Sequence, residues 1–306
     1  MPGSVVAPGN HDGVHLGHRA LVSRARALAE RHGLSTTALF FYPNAAAVLA
    51  PERAPALLTS PARRTELLRE AGADRVEIQA FDRDFAELSP RDFVQQVLIE
   101  RLLCRGLVVG EDFCFGKQRA GDVKLLRELG EELHFEVEVL PKLEYRGEAV
   151  SSSRIRRALE TGRVEDACAM LGRVHEIEGV VVQGDARGRS IGFPTANLAH
   201  VEALMPGDGV YAVLMRRVDE PDAPRLYGVA NLGTRPTFEA GRSSEVHLID
   251  FDGDLYDTRV RVGFVARLRD EQKFKDVPAL IAQLGRDVAA GRERLQAISE
   301  SEARWI

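Results

Sequence analysis

The stretch SVVAPGNHDGVHLGHRALVSRARALAERHG, residues 4–33, holds an apolar run, a glycine-marked turn and a helical pattern in direct succession. SVVA (4–7) reads as a strand. Leu21, Ala25 and Leu28 then recur at helical spacing over 16–32, and His32-Gly33 supplies a stop. The same order repeats downstream. TTALFF (36–41), RVEIQ (75–79), GLVVG (106–110) and FEVEVL (135–140) read as strands, with helical patterns between them. Two of those helices open with Ser60-Pro61 and Ser89-Pro90, serine as cap and proline at the first helical position. Strands alternating with helices predict an α/β domain with a parallel sheet and right-handed crossovers. Such a sheet takes ligands beyond the carboxyl ends of its strands.

The second half changes character near residue 174. EIEGVVVQG (176–184), GVYAVLMRRV (209–218), RLYGVANLG (225–233), SEVHLIDF (244–251) and TRVRVGFVARL (258–268) follow one another with turn residues between. Val210, Ala212 and Leu214 alternate, as do Val246, Leu248 and Asp250. Serial strands without intervening helices predict an antiparallel barrel or sandwich. A helical stretch over roughly 276–303 closes the chain. The boundary falls in SSSRIRRALETGRVEDACAMLGR (151–173), which gives a first domain over 1–160, a linker over 161–173 and a second domain over 174–306.

Composition narrows the function. A chain of 306 residues suits two domains. A net charge of −5 gives no electrostatic reason to expect nucleic acid or an anionic membrane as partner. The apolar runs are short of a membrane span, and the N-terminus lacks a signal-peptide pattern. Cys104, Cys114 and Cys168 are odd in number and scattered, which fits a reducing cytoplasm and no disulfide framework.

Chemistry concentrates in three places. In the first, Gly9 and Gly13 let the backbone turn tightly before a helix start, whose free amides and dipole suit phosphate. His15 and His18 stand there, able to hydrogen-bond phosphate oxygens. A loop without a ligand, or part of a metal site with further ligands elsewhere, are the alternatives. The second is GDARGRSIGFPTAN (184–197), glycine-rich and without a Walker lysine. Thr195 and Asn197 are hard oxygen donors suited to magnesium, or else partners for local turn bonds. The third is Glu245, which alternation puts on the face of His247: a general base, or a solvent-facing strand acid.

These segments resemble a known family. DGVHLGH (12–18) is similar to the HxGH signature of the nucleotidyltransferases. VVGEDFCFGKQRAGD (108–122) and SSSRIRRAL (151–159) resemble two further motifs of the bacterial bifunctional riboflavin kinase/FAD synthetases. GRSIGFPTANL (188–198), GVYAV (209–213), VANLGTRPTF (229–238), EVHLIDFDGDLY (245–256) and RLRDEQKF (267–274) look like that family's riboflavin kinase module. The resemblance implies a Rossmann-like nucleotidyltransferase domain followed by an antiparallel β-barrel with a terminal helix. It implies phosphorylation of riboflavin to FMN, then adenylylation of FMN to FAD with release of pyrophosphate. ATP is the co-substrate, Mg2+ the metal, and FMN and FAD the products.

Residue by residue, the resemblance assigns ATP and its phosphates in the adenylyltransferase to Gly9, Asp12, Gly13, His15, His18, Asp112, Ser152, Ser153 and Arg156. It assigns ATP and flavin in the kinase to Gly188, Arg189, Gly192, Pro194, Thr195, Asn197, Asn231, Arg269 and Phe274. Thr195 and Asn197 hold the metal, and Glu245 deprotonates the 5′-hydroxyl of riboflavin. Simpler readings are a serine helix cap for Ser152 and Ser153, and structural roles for Arg269 and Phe274. The partners implied are small molecules only, without nucleic acid or membrane, and homo-oligomer formation is left open. Four positions depart from the pattern. His11 stands where an aromatic is usual, Asn44 for a histidine, Ala45 for a proline and Asp257 for a glycine. Three of them lie in the adenylylation half, so the alternative expectation is a riboflavin kinase with a weakened N-terminal domain.

Overall fold

The computed structural model describes residues 3–184, 188, 191–220, 222–234 and 242–298. Arg189, the segment 235–238 and the end of the expected terminal helix lie outside the described residues. The chain divides into two compact units, Met1–Ser151 and Ser152–Ile306.

The first unit is built on a five-stranded sheet in the order β3-β2-β1-β4-β5. Its strands are β1 (Ser4–Gly9), β2 (Ser35–Tyr42), β3 (Arg75–Ala80), β4 (Cys104–Gly110) and β5 (Glu136–Leu140). All neighbours pair in parallel, as predicted. Val5, Val6 and Ala7 of the central strand are fully buried. That is why SVVA reads as a continuous apolar run: helices cover both faces of a parallel sheet. Helix α1 (Leu16–His32) ends at Gly33, left-handed at φ 65°, whose N–H donates back to the helix carbonyls. Then come α2 (Ala45–Leu49), α3 (Pro61–Glu70), α4 (Arg83–Ala86), α5 (Pro90–Asp92) with its π-helical continuation over Phe93–Arg101, and α6 (Val123–Leu133). Ser60 and Ser89 cap α3 and α5 as expected. A short hairpin, β6 (Glu144–Tyr145) and β7 (Glu148–Ala149), ends the unit. The strand order reverses between β1 and β4, so their carboxyl ends diverge and leave a crevice there.

The second unit is a closed antiparallel barrel in the order β10-β11-β12-β9-β8-β13. Its strands are β8 (His175–Val182), β9 (Thr195–Ala199), β10 (Gly209–Arg217), β11 (Leu226–Thr234), β12 (Arg242–Leu248) and β13 (Arg259–Arg269). Closure decides between the barrel and the sandwich. The alternation of Val210, Ala212 and Leu214 points outward, into an apolar cluster with Leu295 of the terminal helix. The residues that alternate with them, Tyr211, Val213 and then Met215, are also fully buried.

The chain from 152 to 171, which the sequence reading divides between the first domain and a linker, forms two helices of the second unit. These are α7 (Ser152–Glu160) and α8 (Val164–Leu171). The physical reason is burial. Ile155, Leu159, Val164 and Leu171 are fully covered, α8 packs on β8 and β13, and Gly207 donates its N–H to the Leu159 carbonyl at 2.8 Å. Helix α9 (Val277–Gln296) lies along β10, β11 and β13.

Leu159→Ala opens a cavity in this packing and costs about 2–5 kcal/mol. In the full chain, hydrogen exchange is expected to accelerate in the barrel strands while the parallel sheet keeps its protection. Loss of protection in the sheet instead would assign α7 to the first unit.

Candidate active sites

The turn from β1 into α1 is tight and strained. His11 (φ 49°), Gly13 (φ 85°) and Val14 (φ 39°) all carry positive φ. For a β-branched residue such as Val14 that is a costly conformation, which persists only where the surroundings impose it. A buried anchor imposes it. The Asp12 carboxylate accepts from the N–H groups of Leu58 and Thr59, each at 3.1 Å, and from the Arg64 guanidinium at 2.8 Å. Arg64 also donates to the carbonyls of Asn10 (2.9 Å) and Thr59 (3.1 Å), and lies 4.9 Å from the centre of the Phe40 ring. Gly13 N–H donates to Thr59 Oγ1 at 3.1 Å. Asp12, assigned to the nucleotide by resemblance, therefore holds the turn from within. Arg64 escapes sequence reading, because an arginine in the helix PARRTELLRE looks like one more solvent-facing cation.

The two signature histidines stand where the turn becomes helix. His15 is the N-cap of α1, and its Nδ1 accepts a long hydrogen bond from the His18 N–H at 3.4 Å. An accepting Nδ1 puts the proton of a neutral ring on Nε2, a donor suited to a phosphate oxygen. The rings of His15 and His18 stack at 3.6 Å. Gly17 makes this stack possible. A Cβ there would stand 3.1 Å from Cε1 and 3.2 Å from Nδ1 of His15, tighter than side chains normally pack. The glycine between the histidines thus leaves room for the first ring to fold back over the helix start. Gly9 plays a similar part toward the ring of His11, which a Cβ would meet at 3.1 Å.

His11 is fully buried, with Nε2 bonded to the Ala7 carbonyl at 3.0 Å and its ring edge-on to His18 at 5.0 Å. Burial lowers its pKa to about 4, against the bond to Ala7, and the positive charge of Arg64 lowers it further. It is a neutral packing group. Asn44 has an equally structural post, since its Oδ1 accepts from Ala47 N–H at 2.8 Å and caps α2.

Beside this turn is a cavity of about 390 Å³, bordered by Gly9, Asn10, Ala45 and Asp112. Its walls are aromatic: Phe41, Phe81, Phe85, Phe93, Phe113 and Phe115. Neighbouring rings sit 5.6–6.4 Å apart, mostly tilted or edge-to-face. Asp112, which the resemblance assigns to the nucleotide, lines this cavity and pairs with Lys142 at 3.0 Å. The six phenylalanines come from scattered segments, so no local pattern announces them. Ser152, Ser153 and Arg156 stand on α7, in the second unit.

In the barrel, strand register assembles the site. Glu245 on β12 lies opposite Asn231 on β11 and Asn197 on β9, and His247 lies opposite Val229 and Thr195. Directly opposed residues share a face at about 5 Å between Cβ atoms. Glu245, expected to share a face with His247, does so at the border of a cavity of about 260 Å³ with Asn231, Phe193 and Phe274. A second cavity, about 540 Å³, is bordered by Pro194, Phe251, Asp252, Asp254 and Tyr256. Thr195 lines both. Asn197 is buried, against the position where Gly184 lacks a side chain. Gly188 is obligatory, because a Cβ there would stand 2.2 Å from the Phe193 carbonyl, and Gly192 takes φ 86°. Arg269 lines the smaller cavity and is held by an ion pair. Its Nε and Nη2 grip both oxygens of the nearly buried Asp287 on α9 at 2.9 and 2.7 Å, with Phe274 beneath at 5.9 Å.

Two stability measurements test the first unit's turn. Arg64→Ala strands a buried carboxylate and is expected to cost about 3–5 kcal/mol in denaturant unfolding, part of which Asp12→Asn in the same background restores. The His11 test concerns pH. Its folded pKa lies below the unfolded value of about 6.5, so the unfolded chain binds the extra proton between the two. Stability is full above pH 6.5 and falls as pH drops toward 4, by up to about 3 kcal/mol. His11→Phe is expected to flatten that slope while FAD formation is kept or raised. An unchanged slope would show that His11 is not held neutral.

Two family models match the chain, FAD synthetase over residues 1–154 and riboflavin kinase over residues 171–295. The bifunctional riboflavin kinase/FMN adenylyltransferase of Escherichia coli strain K12 is 39% identical, over 95% of this chain and 92% of that one. Its counterpart in Bacillus subtilis strain 168 is 35% identical, over 93% and 90%. A Streptococcus pneumoniae crystal structure, named as that of a macrolide-efflux protein, superposes with TM-score 0.87 at 32% identity, covering 95% of this chain and 94% of that one. No helix among the described residues is long and apolar enough to cross a membrane.

Proposed function

The chain belongs to the bifunctional riboflavin kinase/FMN adenylyltransferase family, and from that membership we propose how its two units divide the work. The enzyme transfers the γ-phosphoryl group of ATP to riboflavin, giving FMN. It then transfers the adenylyl group of ATP to FMN, giving FAD and pyrophosphate.

The kinase reaction belongs to the barrel. Riboflavin enters the cavity of about 260 Å³ with its ring against Phe193 and Phe274, and its terminal hydroxyl meets Glu245. The Glu245 carboxylate takes the hydroxyl proton as the oxygen forms its bond to phosphorus. ATP occupies the larger cavity, and Thr195, common to both, marks the crossing. This shared residue, next in register to the Glu245 row, is the observation that carries the reading. Thr195 Oγ1 and Asn197 Oδ1 are neutral hard donors, a set that fits Mg2+ drawing its other ligands from phosphate and water. When bound, the ion neutralises charge on the transferring phosphoryl group.

Adenylylation belongs to the parallel sheet. His15 Nε2–H, His18 and the amides at the α1 start hold the triphosphate, while the flavin ring lies among the phenylalanines. An FMN phosphate oxygen bonds to the α-phosphorus, and the bond to the β-phosphate breaks. The three free cysteines support a reducing, cytoplasmic setting.

Wild type, Glu245→Gln and His15→Ala/His18→Ala are each incubated with riboflavin or FMN, ATP and magnesium, and the flavins are separated by chromatography. Glu245→Gln is expected to lose FMN formation and to convert supplied FMN to FAD normally. The double histidine variant is expected to show the reverse, with FAD formation down on the order of 10²-fold or more. Normal kinase activity in Glu245→Gln removes it as the base. A wild type that makes FMN and no FAD restricts the activity to the barrel.

A further inference from the structure

We infer that His247 is a positioning residue of the kinase, which fixes Thr195 by tying down the residue before it. The inference rests on the kinase reading above and concerns a side chain to which that reading gives no task. Strand β9 begins at Thr195, and Thr195 pairs with His247 at that end of the β12–β9 ladder. The residue before it is Pro194, which has no N–H to extend the ladder. Ordinary backbone pairing therefore ends at the residue that lines both cavities.

The His247 side chain carries the tie one residue further. Its Nδ1 lies 2.9 Å from the Pro194 carbonyl oxygen. A carbonyl only accepts, so Nδ1 is the donor. The Phe193 ring meets the imidazole edge-to-face at 5.2 Å and limits its rotation. On the other side the turn is closed by the Gly188 carbonyl, which accepts from Ile191 N–H (3.2 Å) and Phe193 N–H (2.9 Å). Residues 193–195 are thus held at both ends, once by the turn's own backbone and once by a side chain of the strand that carries Glu245. Through that bond the base and the nucleotide-side hydroxyl share one strand as their reference. His247 also lines the smaller cavity, and in this role it acts through Pro194. Its loss loosens Thr195 and spares the proton acceptor.

The test separates donor geometry from bulk. Asparagine places an amide N–H near the Nδ1 position, glutamine places it near Nε2, and phenylalanine keeps the ring without a donor. Riboflavin kinase kinetics are measured on the full chain at saturating magnesium. His247→Phe and His247→Gln are expected to raise the KM for ATP about tenfold, the effect of one neutral hydrogen bond. Their kcat is expected to stay within about twofold of wild type, and His247→Asn to recover most of the loss. Thermal unfolding of the barrel followed by circular dichroism reports on folding and is expected to be unchanged in all three, as is FAD formation from supplied FMN, which the first unit carries. A wild-type KM in His247→Phe overturns the proposal. So does an Asn variant as impaired as the Phe variant, and so does a fall in kcat at constant KM. The kinase reading fails separately, if wild type makes no FMN, and the role of His247 falls with it.

Discussion

Buried backbone amides and carbonyls must find partners, and both sites stand where regular pairing runs out. In the first unit the central strand is paired with β4 as far as Val6 and with β2 as far as Gly9, and helical bonding begins at Leu16. The residues between have no ladder. Some of their polar groups are satisfied by Thr59 and Arg64, and the His15 side chain caps the helix start by accepting from the His18 N–H. In the barrel the gap is one residue wide. Pro194 ends the ladder, and a histidine side chain takes over where the backbone cannot.

Two charge pairs set the geometry around these gaps. Arg64–Asp12 is almost wholly buried, and Arg269–Asp287 nearly so. Pairs of this kind add little net stability, because desolvation offsets most of their attraction. Their consequence is positional. Each carboxylate accepts from several donors at once, so each arginine has few alternative poses. Arg64 holds the strained turn beneath the histidines. Arg269, with help from Gln283, fastens α9 beside the smaller barrel cavity.

The two units meet different chemical demands with different residues. A riboflavin hydroxyl is a poor nucleophile until it loses a proton, so the kinase needs a carboxylate, and Glu245 stands between two asparagines on neighbouring strands. An FMN phosphate is already ionised at neutral pH. Adenylylation needs donors and dipoles instead, which His15, His18 and the helix start supply. His11 shows the limit of reading histidines alike. Its position in the same turn is buried deeply enough to keep it neutral, and it packs.

Much of this was legible in the chain alone. The five parallel strands, the first helix with its glycine stop, the serine-capped helices and the change to serial strands all follow from local patterns of period 3.6 and period 2. Those patterns are short-range and survive without tertiary context. The family motifs marked His15, His18, Thr195, Asn197 and Glu245. Other features were decided only in three dimensions. TANLA has no strand pattern of its own, yet Thr195–Ala199 is a strand because β8 and β12 pair with it from both sides. Helix α7 reads as part of the first domain, and joins the second because its apolar face is covered there. The ion pairs of Asp12 with Arg64 and of Arg269 with Asp287 were invisible in the sequence, because the partners are 52 and 18 residues away. The aromatic cavity collects rings from distant segments. Sequence determines what each short segment prefers, but which side chains face one another depends on contacts between segments that only the folded chain brings together.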